Sequence, residues 1–246
     1  MRWGKIPFPP DPLPSSVIAA SPPSRTSATR WATFDCYGTL IDWNLGIRTE
    51  LERLFGVEQA PRLLERYHEV EREIESGSFQ TYREVMTLAL ERLAQDESIQ
   101  LPEGEADALG RSLPEWPPFP EVASALSELR DRGWKLAILS NTDRDLIAAS
   151  QKQLRVPIDL AIVAEDVESY KPAHAHWQRF FESTTAERDS HAHVAASLFH
   201  DIKPARELGL RSVWINRLGE KAEPSPDREL PDLSALPDTL EELVPA

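Results

Sequence analysis

Trp31-Ala-Thr-Phe-Asp35-Cys-Tyr-Gly-Thr-Leu-Ile-Asp42 is the stretch on which the fold turns. Trp31, Thr33 and Phe34 form a short run that favours extended chain. Asp35, with Cys36, Tyr37, Gly38 and Thr39, then reads as the loop leaving that strand. In an open parallel α/β sheet, ligands bind outside the carboxyl ends of the strands, so Asp35 stands where chemistry is expected. The competing role is a turn cap, because Asp bonds readily to nearby backbone amides.

Outward from this strand the chain changes character twice. Leu51, Leu54 and Phe55, then Leu63, Leu64, Tyr67, Val70 and Ile74, then Tyr82, Val85, Met86, Leu88, Ala89 and Leu93 recur at intervals of three and four, the spacing of amphipathic helices. This region ends in Pro114-Glu-Trp-Pro117-Pro118-Phe-Pro120, a linker signature. Beyond it helices and strands alternate. Helices are predicted over 121–132, 143–154, 173–183 and 203–208, and strands over 134–139, 158–163, 193–196 and 212–215. Such alternation implies a parallel sheet with right-handed crossovers. The expected architecture is a doubly wound α/β core (residues 29–43 and 117–246) with a helical cap inserted after the first strand (44–116). Residues 1–28, rich in Pro and Ser, are expected to be a disordered tail, read as a bland extension and not as a targeting peptide.

Composition narrows the partners. The net charge of −14 argues against nucleic acid, which requires a clustered basic surface. The single cysteine, Cys36, permits no intrachain disulfide and fits a reducing compartment such as the cytoplasm. No apolar run approaches the roughly 20 residues of a membrane span.

Four strand ends carry polar groups in order: Asp35, then Ser140-Asn141, then Lys171, then Asp201. Together with Asp-Cys-Tyr-Gly-Thr-Leu, this set resembles the four motifs of the haloacid dehalogenase superfamily across about residues 31–216, and Tyr37 resembles its dehalogenase branch. The resemblance implies that Asp35 is a nucleophile, since a carboxylate can attack carbon or phosphorus and later be released. It implies that Lys171 offsets charge beside Asp35, that Thr39 bonds to the nucleophile loop, and that Asp201 holds Lys171 and helps orient water. Ser140 and Asn141 are candidates for substrate carboxylate binding, with capping of the next helix as the alternative. Arg66 falls near the family's cap arginine for the carboxylate and leaving halide, and Trp177 stands where the family has an active-site Tyr. Both residues also have structural alternatives, a charged helix face and aromatic packing. Cys36 is expected to point away from the pocket and pack.

Tyr37 separates two reaction classes. Phosphatases of the superfamily protonate the leaving alkoxide from an Asp two residues after the nucleophile; a halide leaves without a proton. Their Mg²⁺ also requires acidic ligands after the fourth strand, and Ala196 occupies the first such position, which predicts a weak metal site or none. Dehalogenases carry a water-positioning Ser and Asn where this chain has Ala196 and Leu198. His200 is therefore a candidate for water activation, with helix capping as its alternative. The resemblance thus implies a cofactor-free 2-haloacid dehalogenase acting on a halogenated carboxylic acid. Relatives of this kind often pair as homodimers through the cap. A Mg²⁺-dependent phosphatase with an atypical acid and a non-catalytic binding protein remain the alternatives.

Overall fold

The computed structural model describes residues 29–221 and 225–245, so the proline-rich tail lies outside the described residues. β1 (Trp31–Phe34) is followed by α1 (Trp43–Phe55), α2 (Ala60–Glu75), α3 (Tyr82–Asp96) and α4 (Ala108–Ser112). The chain then runs through α5 (Val122–Asp131), β2 (Lys135–Ser140), α6 (Arg144–Leu154), β3 (Leu160–Val163), α7 (Ala164–Val167), α8 (Ala175–Ser183) and β4 (His191–Ala195). It closes with α9 (Lys203–Glu207), β5 (Arg211–Ile215), β6 (Arg228–Leu230) and α10 (Leu236–Leu243).

The strands form one parallel sheet in the order β3-β2-β1-β4-β5-β6. β1 lies between β2 and β4, at the point where the winding reverses. The crevice at such a point is the expected ligand site, and Asp35 emerges directly into it. All four residues of β1 are buried, as a strand covered on both faces requires. Ala32 and Phe34 join a core with α5, α6, α10 and the cap, whereas Trp31 packs with Trp177 and Phe180 of α8 on the other face.

The cap helices form for local reasons. Asp42 caps α1 by accepting from Leu45 N at 3.0 Å, and Thr81 with Glu84 makes a capping box at the start of α3. The two chain crossings between cap and core are bonded to each other, Asp42 N to Pro117 O at 2.8 Å and Phe119 N to Leu40 O at 3.0 Å. Gly46 is required beside this junction, because a Cβ there would meet the Trp116 ring at 2.3 Å. Asp143, just past β2, accepts from Tyr82 N at 2.7 Å and Arg83 N at 3.0 Å, so a core loop satisfies the first amides of α3.

Several expectations shift. The fourth strand begins two residues earlier, at His191, because His191 and Ala192 pair with Trp31 and Ala32. Ala196 lies beyond its end. Pro172 belongs to a turn, and its helix begins only at Ala175. Leu88, on the predicted apolar stripe of α3, is 40% exposed. β6 and α10 have no counterpart among the predicted elements: β6 is a short, largely exposed strand held by pairing with β5.

Candidate active site

The strand ends bring three charged side chains into one buried cluster. Lys171 Nζ donates to Asp35 Oδ1 at 2.8 Å, to Asp201 Oδ1 at 2.7 Å and to the Leu139 carbonyl at 2.8 Å, which uses all three of its protons. Burial alone would strip a proton from Lys171, but Asp201 and Asp35 outweigh it and hold the ammonium above the usual lysine range. Burial would likewise raise Asp201, yet Lys171 and His193 hold it at about 2. For Asp35, burial prevails and pushes the carboxyl up, with Asp201 adding to it and Lys171 and Thr39 opposing. Thr39 Oγ1 donates to Asp35 Oδ2 at 2.9 Å and accepts from Ala196 N at 2.9 Å, which ties the nucleophile loop to the loop after β4. Gly38, at φ 87°, supplies the left-handed turn between Asp35 and Thr39.

A cavity of about 540 Å³ lies between this cluster and the cap. Asp35, Lys171, Ser140, Asn141 and Asp201 line its floor, and His68, Glu71, Arg72 and Glu75 of α2 line its roof. Tyr82 OH donates to Glu71 Oε1 at 2.8 Å and Tyr67 OH at 3.3 Å, but burial prevails and pushes Glu71 up to about 7. Burial, with Glu71 and Asp35 nearby, raises Glu75 as well. His68 stacks on Trp43 with ring centroids 4.2 Å apart, and burial lowers its pKa to about 4.

The predicted site residues separate into groups. Asp35, Lys171, Thr39 and Asp201 come together as one bonded cluster. Ser140 lines the cavity, and its buried Oγ makes no hydrogen bond. Asn141 also lines it, but its amide is committed to the Lys171 main chain, with Nδ2 to O at 3.0 Å and Oδ1 from N at 2.6 Å. Tyr37 lines the cavity while its hydroxyl meets Ser150 Oγ at 3.0 Å, and burial raises the phenol far above its usual range. His200 lines the cavity with Nδ1 3.1 Å from Ser197 Oγ, and burial lowers it to about 4, which makes it a weak base.

Two expectations require correction. Arg66 is not among the cavity-lining residues: its guanidinium pairs with Glu69 and Asp96, both at 2.7 Å, and Arg72 is the cap arginine that lines the site. Trp177 is fully buried beneath the sheet, 5.2 Å from the His193 ring, and does not line the cavity. Cys36 packs in the core as expected, its thiol pushed up by burial.

Ala196 offers no side-chain oxygen at the loop after β4, and the two carboxylates nearest it, Asp35 and Asp201, both accept from the Lys171 ammonium. Sequence reasoning missed the roof acids, His68, Arg72, and the pair His191 and His193. The available signals were Glu71 within the apolar stripe of α2 and histidines at alternate positions of a buried strand.

The profile of the haloacid dehalogenase-like hydrolases matches residues 29–209. Haloacetate dehalogenase H-2 of Moraxella sp. (strain B) is 27% identical over 211 residues, covering 82% of this chain and 94% of that protein. (S)-2-haloacid dehalogenase 4A of Burkholderia cepacia is 25% identical over 221 residues, covering 88% and 94%. In fold, the chain resembles the L-2-haloacid dehalogenase of Xanthobacter autotrophicus with chloropropionic acid covalently bound, with a TM-score of 0.76, 18% identity and coverage of 87% and 98%. With Asp35 at the switch point of a parallel sheet, clasped by Lys171 beneath a helical cap, and with that profile spanning most of its length, the chain belongs to the haloacid dehalogenase-like hydrolases.

Proposed function

We propose that the chain is a 2-haloacid dehalogenase, acting on an (S)-2-haloacid as the names of its relatives suggest. Asp35 attacks the carbon bearing the halogen from the rear, and the carbon–halogen bond breaks with inversion to release halide. Water then attacks the carbonyl carbon of the Asp35 ester, the acyl–oxygen bond breaks, and a 2-hydroxy acid and the free carboxylate are formed. Lys171 opposes the burial that raises Asp35 and so favours its ionised form for the first step, and Asp201 serves the second by holding Lys171 and helping to orient the water. Ser140, with its unengaged hydroxyl, and Arg72 are placed to meet the substrate carboxylate. Closure of the cap over the cavity excludes bulk water and strengthens these contacts.

The observation that carries this reading is the state of Tyr37. Two residues after the nucleophile, where a phosphatase keeps its acid, stands a buried phenol engaged by Ser150. The reaction supported best is one whose leaving group needs no proton. Among the described residues no helix is long and apolar enough to cross a membrane, and the single, buried cysteine suits a reducing compartment, so we place the enzyme in the cytoplasm. The test is halide release from (S)-2-chloropropionate and fluoroacetate beside Mg²⁺-dependent phosphate release from p-nitrophenyl phosphate, for wild type and Asp35→Asn. Halide release lost in Asp35→Asn is expected. Phosphate release without halide release would replace this reading with the phosphatase one.

A further inference from the structure

A second polar assembly lies directly beneath the reaction cluster. The pairing of β1 with β4 sets Trp31 beside His191 and Thr33 beside His193. Thr33 Oγ1 is 2.8 Å from His191 Nε2 and 2.8 Å from His193 Nδ1, and His193 Nε2 is 3.0 Å from Asp201 Oδ1. Thr33, His191 and His193 are each 0% exposed. Trp177 packs edge-on to His193, while Phe180 and Phe181 pack against His191. Polar side chains within an aromatic layer are costly unless their hydrogen bonds are made.

One placement of protons satisfies this chain. Burial holds His191 neutral, with a pKa of about 3. Its Nδ1 has no partner, and an orphaned N–H is rarer than an orphaned acceptor, so its proton sits on Nε2 and is donated to Thr33. The Thr33 hydroxyl then donates to His193 Nδ1, which leaves the His193 proton on Nε2, facing Asp201. A cationic His193 would deprive the Thr33 proton of that acceptor. All three bonds therefore run toward the carboxylate, an arrangement in which each polarises the next.

We propose that His193 is a positioning residue: His191, Thr33 and His193 form a one-way hydrogen-bond relay that fixes the Asp201 carboxylate against Lys171 and thereby serves hydrolysis of the Asp35 ester more than its formation. The step assigned rests on the dehalogenase reading. Once Asp35 is esterified it no longer carries charge, and Asp201 becomes the carboxylate that holds Lys171 in place. Lys171 and His193 both bond Oδ1 of Asp201, so removing His193 frees the carboxylate to rotate. Ala196 and Leu198 carry neither a hydroxyl nor an amide side chain, and the Ser197 hydroxyl between them is engaged by His200 N at 3.0 Å and Nδ1 at 3.1 Å, so the hydrolytic step depends more heavily on Asp201.

Two measurements on the full chain test this. Nitrogen NMR of the imidazoles, with His193 assigned by its loss in His193→Gln, is expected to show a proton on His193 Nε2 and a hydrogen-bond-accepting Nδ1, as the bonds to Asp201 and Thr33 require. A ring protonated at Nδ1, or an imidazolium, overturns the relay whether or not the protein releases halide. In single turnovers with (S)-2-chloropropionate followed by mass spectrometry, His193→Leu is expected to slow ester hydrolysis about 10- to 100-fold, so that the Asp35 adduct accumulates while its formation changes little. His193→Gln, whose Nε2 can still donate, is expected to recover most of the rate. Thr33→Val cuts the relay without touching Asp201 and replaces His193→Leu should that variant fail to fold. Hydrolysis at the wild-type rate, an equal slowing of formation, or failure of Gln to rescue each overturns the role. A wild type that forms no adduct overturns the dehalogenase reading and the step assigned here, and the NMR result still decides the relay.

Discussion

The floor and the roof of the cavity are both built from buried acids, and they treat charge in opposite ways. On the floor, Asp35 and Asp201 share the Lys171 ammonium at 2.8 and 2.7 Å. In the roof, Glu71 is held by two phenols, and Glu75 lies 3.7 Å from His200, whose burial keeps it neutral near pH 7. Burial disfavours the charged form in both places; Lys171 and His193 reverse that for Asp201, whereas Asp35 stays raised despite Lys171. Lys171 and Asp201 are therefore held charged on the floor, while Glu71 in the roof holds its proton into the neutral range. Removing the floor's cation should have the largest effect. Lys171→Met leaves two buried carboxylates facing each other, and is expected to cost about 3–5 kcal/mol in chemical unfolding and to abolish halide release. Loss of turnover with full stability would show that the floor is less dry than its burial implies.

Glu71 in the roof and Asp201 on the floor are expected to respond to pH in opposite senses. Glu71 rises from 4.5 unfolded to about 7 folded, so the native state binds the extra proton and stability falls as pH rises through that window, by about 3 kcal/mol for this group alone. Asp201 is depressed from 3.8 to about 2, so its contribution of roughly 2 kcal/mol is present above pH 4 and lost as pH falls toward 2. Thermal melts should show the wild type weakening from pH 5 to 8, and Glu71→Gln should flatten that decline while leaving the acid side unchanged. An unaltered slope in Glu71→Gln would move the titration to another group, with Glu75 the first to examine.

Asp143 joins the two regions, and its effect should be smaller. It belongs to the core loop after β2 yet accepts from the first two amides of the cap helix α3. Asp143→Ala is expected to cost about 1–2 kcal/mol, in the range of a lost helix cap. Hydrogen exchange should localise that loss to α3, with the amides of β1 and β4 unchanged.

Floor and roof also differ in how legible they were in the sequence. Asp35 and Ser140 stand at the ends of apolar strands, which sheet topology carries to one edge, and the resemblance to the four family motifs named Lys171 and Asp201 farther along their loops. The roof is a face of α2, and Glu65, Arg66, Glu69, Arg72 and Glu75 look alike in a charged helix until its packing is known. Arg66 was the candidate for this reason, and Arg72 is the arginine that lines the cavity. His191 and His193 were hidden differently: the strand was expected to begin only at His193, and the partner that makes them polar neighbours, Thr33, lies far away in sequence. β6 escaped because three residues, Arg228-Glu-Leu, carry no periodicity, and only the edge of β5 defines them.

The smallest predicted effect bears on these two arginines. Arg66 does not line the cavity and is satisfied by Glu69 and Asp96, whereas Arg72 lines it with its Nε on the His68 carbonyl at 3.1 Å. An arginine at a wet cavity mouth contributes roughly 1 kcal/mol to binding a carboxylate, or about fivefold. Arg72→Ala should therefore raise KM for a 2-haloacid about fivefold with kcat little changed, and Arg66→Ala should leave both constants alone. Because the other roof residues are acids and the neutral His68, Arg72 supplies the cap's attraction for an anionic substrate, and high salt should erase much of the difference between the two variants. If Arg66→Ala carries the larger KM effect, α2 must rotate when substrate binds, and the contrast between floor and roof becomes one between a fixed surface and a moving one.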